Sequence, residues 1–120
     1  MDKMHKHLMS ESVLSPKIID IQHKAYLGDA DAQYSLADIF QKGRGVTRNS
    51  NNAFYWYERS AKQGNIAAQF SVWYAYLTGD GVKADLEKSD FWYRTASVNN
   101  INVNGQSVVQ KLLSTLWTTF

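Results

Sequence analysis

The chain contains no cysteine. Disulfides, thiolate metal sites and cysteine nucleophiles are excluded with it. It also lacks any apolar run of the roughly 20 residues that a membrane-spanning helix needs, so no membrane partner is expected. The first ten residues, Met1-Asp-Lys-Met-His-Lys-His-Leu-Met-Ser10, carry charge with no apolar stretch behind them. They do not read as a signal peptide, and a cytoplasmic location is the expectation. Charge of one sign is missing too: 13 Lys and Arg stand against 11 Asp and Glu, for a net +2. The basic residues are spread along the chain, which gives no electrostatic footprint for nucleic acid. Hydrophobic content of 44% and charged content of 20% are ordinary for a soluble globular chain, and 120 residues sustain one domain with a modest core.

What is present is a repeat. Gly28-Asp-Ala-Asp-Ala-Gln33-Tyr34 returns 36 residues later as Gly64-Asn-Ile-Ala-Ala-Gln69-Phe70. Gly43-Arg-Gly45-Val46 returns as Gly79-Asp-Gly81-Val82, and Trp56-Tyr57 as Trp92-Tyr93. A period of this size marks a helical solenoid, in which each unit buries its apolar face only against its neighbours.

The helices can be placed from their punctuation. Residues 1–14 read as a polar, frayed tail. Ser15-Pro16 then starts a helix, with Ser at the N-cap and Pro where a missing N–H costs nothing. Its end aligns with the end of a second helix one period later, so it has the phase of a half-unit. Asp29 caps a helix over about 30–42, whose Ala32, Leu36, Ala37 and Phe40 form one apolar stripe. Gly43 and Gly45 stop it, and Val46 is expected to tuck back into the core. A partner helix from Asn49 or Ser50 to about Gln63 carries Ala53, Trp56, Tyr57, Ser60 and Ala61 inward. The plan recurs: Asn65 caps a helix bearing Ala68, Val72, Trp73 and Tyr76, and Asp85 caps one bearing Ser89, Trp92, Tyr93, Ala96 and Ser97. A last helix, about 104–117, shows Val108, Val109, Leu112, Leu113, Leu116 and Trp117 on one face.

The reading is an all-α chain, an α/α superhelical solenoid of about six antiparallel helices. It comprises a cap helix over 15–27, repeat 1 over 28–63, repeat 2 over 64–99 and a C-terminal cap over 100–120.

These residues resemble the Sel-one-like repeat family, a relative of the tetratricopeptide repeats. Its unit opens Gly-Asp/Asn-x-x-Ala-Gln-Tyr, turns at Gly-x-Gly-Val and closes on Trp-Tyr-x-x-Ala-Ala. The match runs over about 28–99. Three departures stand out. The family's Gly after Leu is Ala37 and Trp73, its Pro after the turn Val is Thr47 and Lys83, and the second unit's Leu is Val72. Trp73 places a bulky ring where helices should meet closely. The resemblance implies a superhelix that binds other proteins or peptides, and no reaction.

The residues themselves offer little chemistry. His5-x-His7 lies in a tail without acidic partners, and His23 reads as a surface residue, so no metal site is expected. No Ser-x-x-Lys or Gly-x-Ser-x-Gly is present. The Gly-x-Gly turns lack the Lys-Ser/Thr of a phosphate loop. Asp31 and Asp38 share a helix face but sit about 10 Å apart along its axis, too far for a paired acid and base. A solvated face is the expectation for both. The Trp-Tyr pairs read as core, whereas some of Tyr26, Phe54, Tyr55, Phe91 and Phe120 should be exposed. Neither a catalytic residue nor a cofactor is expected.

In the tetratricopeptide fold the first helices line the concave face. By that resemblance the partner-binding surface here comprises Asp31, Tyr34, Asp38, Gln41 and Lys42 in unit one, Phe70, Tyr74 and Leu77 in unit two, and Gln106 and Gln110 on the last helix. Such a groove would be polar at one end and aromatic at the other. The expected function is a non-catalytic scaffold for a partner protein or peptide, monomeric or weakly dimeric. One specialised version is an immunity protein against a bacterial toxin. The alternatives are an enzyme, such as a weak hydrolase using the groove, and a self-associating module built on Trp117 and Phe120.

Overall fold

The computed structural model describes residues 14–100. Within them the chain forms five helices and no strand: α1 Pro16–Tyr26, α2 Ala30–Lys42, α3 Ser50–Lys62, α4 Ile66–Thr78 and α5 Leu86–Asn99. All but the last residue of the tail expected over 1–14, and the helix expected over about 104–117, lie outside the described residues.

Each helix begins on a side chain that satisfies a first-turn N–H which has no partner within the helix. Ser15 Oγ accepts from Ile18 N, and Asp29, Asn49, Asn65 and Asp85 accept in the same way from Ala32, Asn52, Ala68 and Lys88, at 2.8–3.3 Å. Of the two expected starts of α3, Ser50 is its first helical residue and Asn49 is its cap. Gly43 and Gly79 end α2 and α4 in the left-handed region.

Consecutive helices pack on one another, α1 on α2, α2 on α3, α3 on α4 and α4 on α5. Their shared core contains Ala25, Leu36, Ala37, Phe40, Ala53, Trp56, Tyr57, Ala61, Ala68, Val72 and Tyr76. Small residues let the helix axes approach, and Trp56 is the largest of the fully buried side chains. Val46 and Val82 pack against this core from the turns, as expected.

The second glycine of each turn has a specific use. Gly45 sits at φ 77° and Gly81 at φ 80°. A Cβ on Gly45 would lie 2.9 Å from the terminal methyl of Ile18 on α1. One on Gly81 would fall on the Ser50 carbonyl at the start of α3. Each turn therefore rests on the second helix of the preceding unit, so the Gly-x-Gly motif serves stacking between units as well as the reversal within one.

Buried glutamines join the units by hydrogen bonds. Gln33 Nε2 donates to the Ala25 carbonyl at 3.1 Å, and Gln69 Nε2 to the Ala61 carbonyl at 3.2 Å. Both reach back to the last turn of the previous helix, where carbonyls lack helical donors. The family's Gln is thus a link between repeats.

Two expectations change. Asp38 is not a solvated residue. It is half-buried and takes hydrogen bonds from Tyr57 Oη, Lys42 Nζ and an Arg44 guanidinium nitrogen at 3.2–3.4 Å. The loop that follows α2 folds Arg44 back onto the helix, a contact that one-helix spacing does not show. Second, the Trp-Tyr pair is core only in unit one. Trp92 is half-buried and Tyr93 is 37% exposed, against 7% for Tyr57. Trp73, which stands where unit one has Ala37, meets the Tyr93 ring at 5.3 Å, and among the described helices α5 packs mainly on α4, whereas α3 is held between α2 and α4. Of the off-stripe aromatics, Tyr26 and Phe91 are exposed, while Phe54 and Tyr55 pack against the core and Phe120 lies outside the described residues.

Candidate functional site

The first helices of the two units, α2 and α4, leave an open cleft of about 480 Å³ between them. Tyr34 and Gln41 line it from α2, Phe70, Ser71, Trp73 and Tyr74 from α4, and Phe54 and Tyr57 from α3. Asp80, from the turn after α4, closes one side.

The walls are built by side chains that pack mutually. Tyr34 and Tyr57 meet at 5.7 Å, tilted, and Phe70 and Trp73 at 6.4 Å, edge to face. Trp73 in turn meets Tyr74 at 6.0 Å. Such tilted and edge-on pairs hold ring orientations by about 0.5–1.5 kcal/mol beyond the area they bury. Burial, the Asp38 carboxylate and the neighbouring Tyr34 all push the Tyr57 hydroxyl far above the usual tyrosine range. It therefore stays a neutral donor, which is the state its bond to Asp38 requires. Burial, with Glu58 and Asp85 behind it, raises Tyr76 in the same direction.

The Asp80 side chain ties the two units at the cleft's edge. It accepts from Gln41 Nε2 at 2.6 Å and from the Arg48 guanidinium at 3.2 and 3.3 Å. Arg48 Nε also holds the Gln41 carbonyl at 2.8 Å. Asp80 and Arg44 occupy equivalent places in the two Gly-x-Gly turns, with opposite charge.

The surface residues expected from the sequence do not form one row. Tyr34, Gln41, Phe70 and Tyr74 share the α2–α4 cleft. Asp38 lies in a neighbouring depression between α1 and α2, together with Tyr34 and Arg44. Leu77 faces a third, between α4 and α5, with Trp73, Leu86 and Tyr93. Asp31 is exposed and accepts from Asn65 Nδ2 at 3.1 Å, and Lys42 is exposed and paired with Asp38. Gln106 and Gln110 lie outside the described residues.

Sequence reasoning left out Asp80, Ser71 and Tyr57 from the cleft, and Trp73 as one of its walls. The signal for Asp80 was available in the charge reversal between equivalent turn positions. Tyr57 carried no such signal, because a stripe assignment places a ring in the core without saying where its hydroxyl emerges.

Among the described residues no group of three or more His, Cys, Asp or Glu could hold a metal, and no helix is long and apolar enough to cross a membrane.

Paired antiparallel helices stacked in register, with glycine turns resting on the preceding unit, define an α/α repeat solenoid. The model of the Sel1 repeat matches residues 30–65 and 66–97. The chain belongs to the Sel1 repeat family.

Solved structures agree. The chain is 30% identical to a Sel1 repeat protein from Oxalobacter formigenes over 70% of its own length and 24% of that protein's, with a TM-score of 0.67. It is 32% identical to c5321, described as a protective antigen of uropathogenic Escherichia coli with an SLR fold. There it covers 66% of itself and 17% of that chain, with a TM-score of 0.65. It therefore spans about a quarter or less of either relative. Helicobacter pylori cysteine-rich protein B shares the fold at 14% identity and a TM-score of 0.68, over 80% of this chain and 73% of that one. No curated protein matches.

Proposed function

We propose that this chain is a non-catalytic scaffold that binds a partner protein or peptide through the α2–α4 cleft and the α4–α5 depression that shares Trp73 with it. The observation that carries the reading is apolar side chains held at the surface around an open cleft. Tyr74 is 55% exposed and Leu77 43% exposed, on one helix and three residues apart. Clustered exposed aromatic and aliphatic side chains mark protein contacts. Sel1 repeats generally mediate protein–protein interaction, which supports the same reading. A bacterial toxin bound by an immunity protein is one version of such a partner, and it would use the same surface.

The test is capture of a partner on the immobilised chain, followed by Tyr74→Ala with Leu77→Ala. Both residues are exposed, so the fold is expected to survive, and circular dichroism checks that it does. Loss of the captured partner supports the reading. Undiminished capture by a folded double variant sinks it.

A further inference from the structure

Some aromatic rings of this chain are already occupied by its own cations. The Arg59 guanidinium lies 5.7 Å from the Tyr55 ring and 5.8 Å from the Trp56 ring, and Lys88 Nζ lies 5.7 Å from Tyr76. The rings of the α2–α4 cleft are different. Among the described residues, no cation of the chain lies over Tyr34, Phe70, Trp73 or Tyr74, each of which pairs with another ring.

The charge lining the cleft is also of one sign. Asp80 is its charged residue, and no Lys or Arg lines it. The Asp80 carboxylate has about four lone-pair sites, and the bonds from Gln41 and Arg48 take three of them. The Arg48 side chain is more than half exposed, so its ion pair is weak and solvent-screened and leaves the carboxylate able to accept again.

These features discriminate between occupants. An anion would meet a carboxylate and the negative faces of rings. An aliphatic side chain would gain from the rings and leave the remaining acceptor site of Asp80 unused. A flat cation satisfies both, because a guanidinium stacks on an aromatic face while its N–H fork reaches a carboxylate. We propose that the cleft receives an arginine side chain of the bound partner. The proposal rests on the protein-binding reading above and specifies the side chain that reading leaves open.

The test is a titration of the isotope-labelled full chain, followed by NMR, with three blocked single-residue probes: the N-acetyl N-methylamides of arginine, norleucine and glutamate. The arginine probe is expected to shift the Trp73 indole N–H and the amides of Phe70, Tyr74 and Asp80. It should bind about fivefold or more tighter than norleucine, the factor that corresponds to a cation–π contact. Glutamate should bind most weakly. Asp80→Asn and Tyr74→Ala should each weaken the arginine probe, and added salt should weaken it in the parent chain. The second variant serves if the first disturbs the turn. Norleucine binding as tightly at the same residues overturns the arginine assignment and leaves the protein-binding reading standing, as do arginine shifts confined to other residues. Retained capture by the Tyr74→Ala/Leu77→Ala variant sinks the broader reading through a separate measurement.

Discussion

Unit one and unit two share a backbone plan and differ in what they present. At the position of Ala37, unit two has Trp73, and at the position of Asp38 it has Tyr74. In unit one the small Ala37 lets Tyr57 bury and turn its hydroxyl onto Asp38. In unit two the indole of Trp73 meets the Tyr93 ring, and Tyr93 is partly exposed. The polar satisfaction differs as well. Gln33 Oε1 accepts from Gln63 Nε2 at 2.7 Å, whereas Gln69 Oε1 is buried without a partner among the described residues. The residue equivalent to Gln63 is Asn99, one methylene shorter. What the repeat keeps is what stacking requires: caps, turn glycines and the glutamine link. It varies the side chains around the cleft.

The turns give the sharpest way to test that division. Gly45 and Gly81 have nearly the same positive φ, so alanine strains both backbones by about 1–2 kcal/mol. Only Gly81 also meets a backbone carbonyl, whereas the Ile18 methyl opposite Gly45 can move. Gly81→Ala is therefore expected to destabilise at least twice as much as Gly45→Ala in urea unfolding. Equal losses would show that the turn of unit two does not bear on α3.

A smaller effect separates the two tyrosines. Tyr57→Phe removes a hydrogen bond to a carboxylate and should cost about 1–2 kcal/mol. Tyr93→Phe should be close to neutral, since no hydrogen bond to its hydroxyl is present among the described residues. The pair also differ in pH dependence. Folding raises the Tyr57 pKa, so its contribution is complete below the unfolded tyrosine value of about 10 and is lost as pH rises toward the folded value. Unfolding curves of the parent chain above pH 10 should fall more steeply than those of Tyr57→Phe, and parallel curves would contradict the buried hydroxyl.

The smallest change runs the other way. Asn99→Gln supplies the reach that Gln63 has in unit one and offers Gln69 Oε1 a donor. A gain of about 0.5–1 kcal/mol is expected, measured as a rise in the urea midpoint. No gain would place the unsatisfied oxygen beyond the reach of residue 99.

Much of the fold was legible because it is local. Four caps, two glycine stops and the apolar stripes are short-range signals, and each described helix lies within a residue or two of its sequence assignment. The cleft was legible only in part. Tyr34, Gln41, Phe70 and Tyr74 follow from helix faces, but Asp80 enters from a turn 39 residues beyond Gln41. Asp38 looked solvated because the residues that donate to it come from α3 and from the loop after α2, as well as from its own helix.

The sequence alone determined the period, the limits of the described helices, the family and most of the side chains that α2 and α3 turn inward, because capping and apolar spacing act within a few residues of chain. Only the tertiary structure decided which hydroxyl meets Asp38, that Tyr93 packs against Trp73 and stays partly exposed, and that the expected surface divides among separate clefts. Those outcomes depend on the distances between packed helices, and side-chain volume at a contact sets such distances, which the pattern along one helix does not encode.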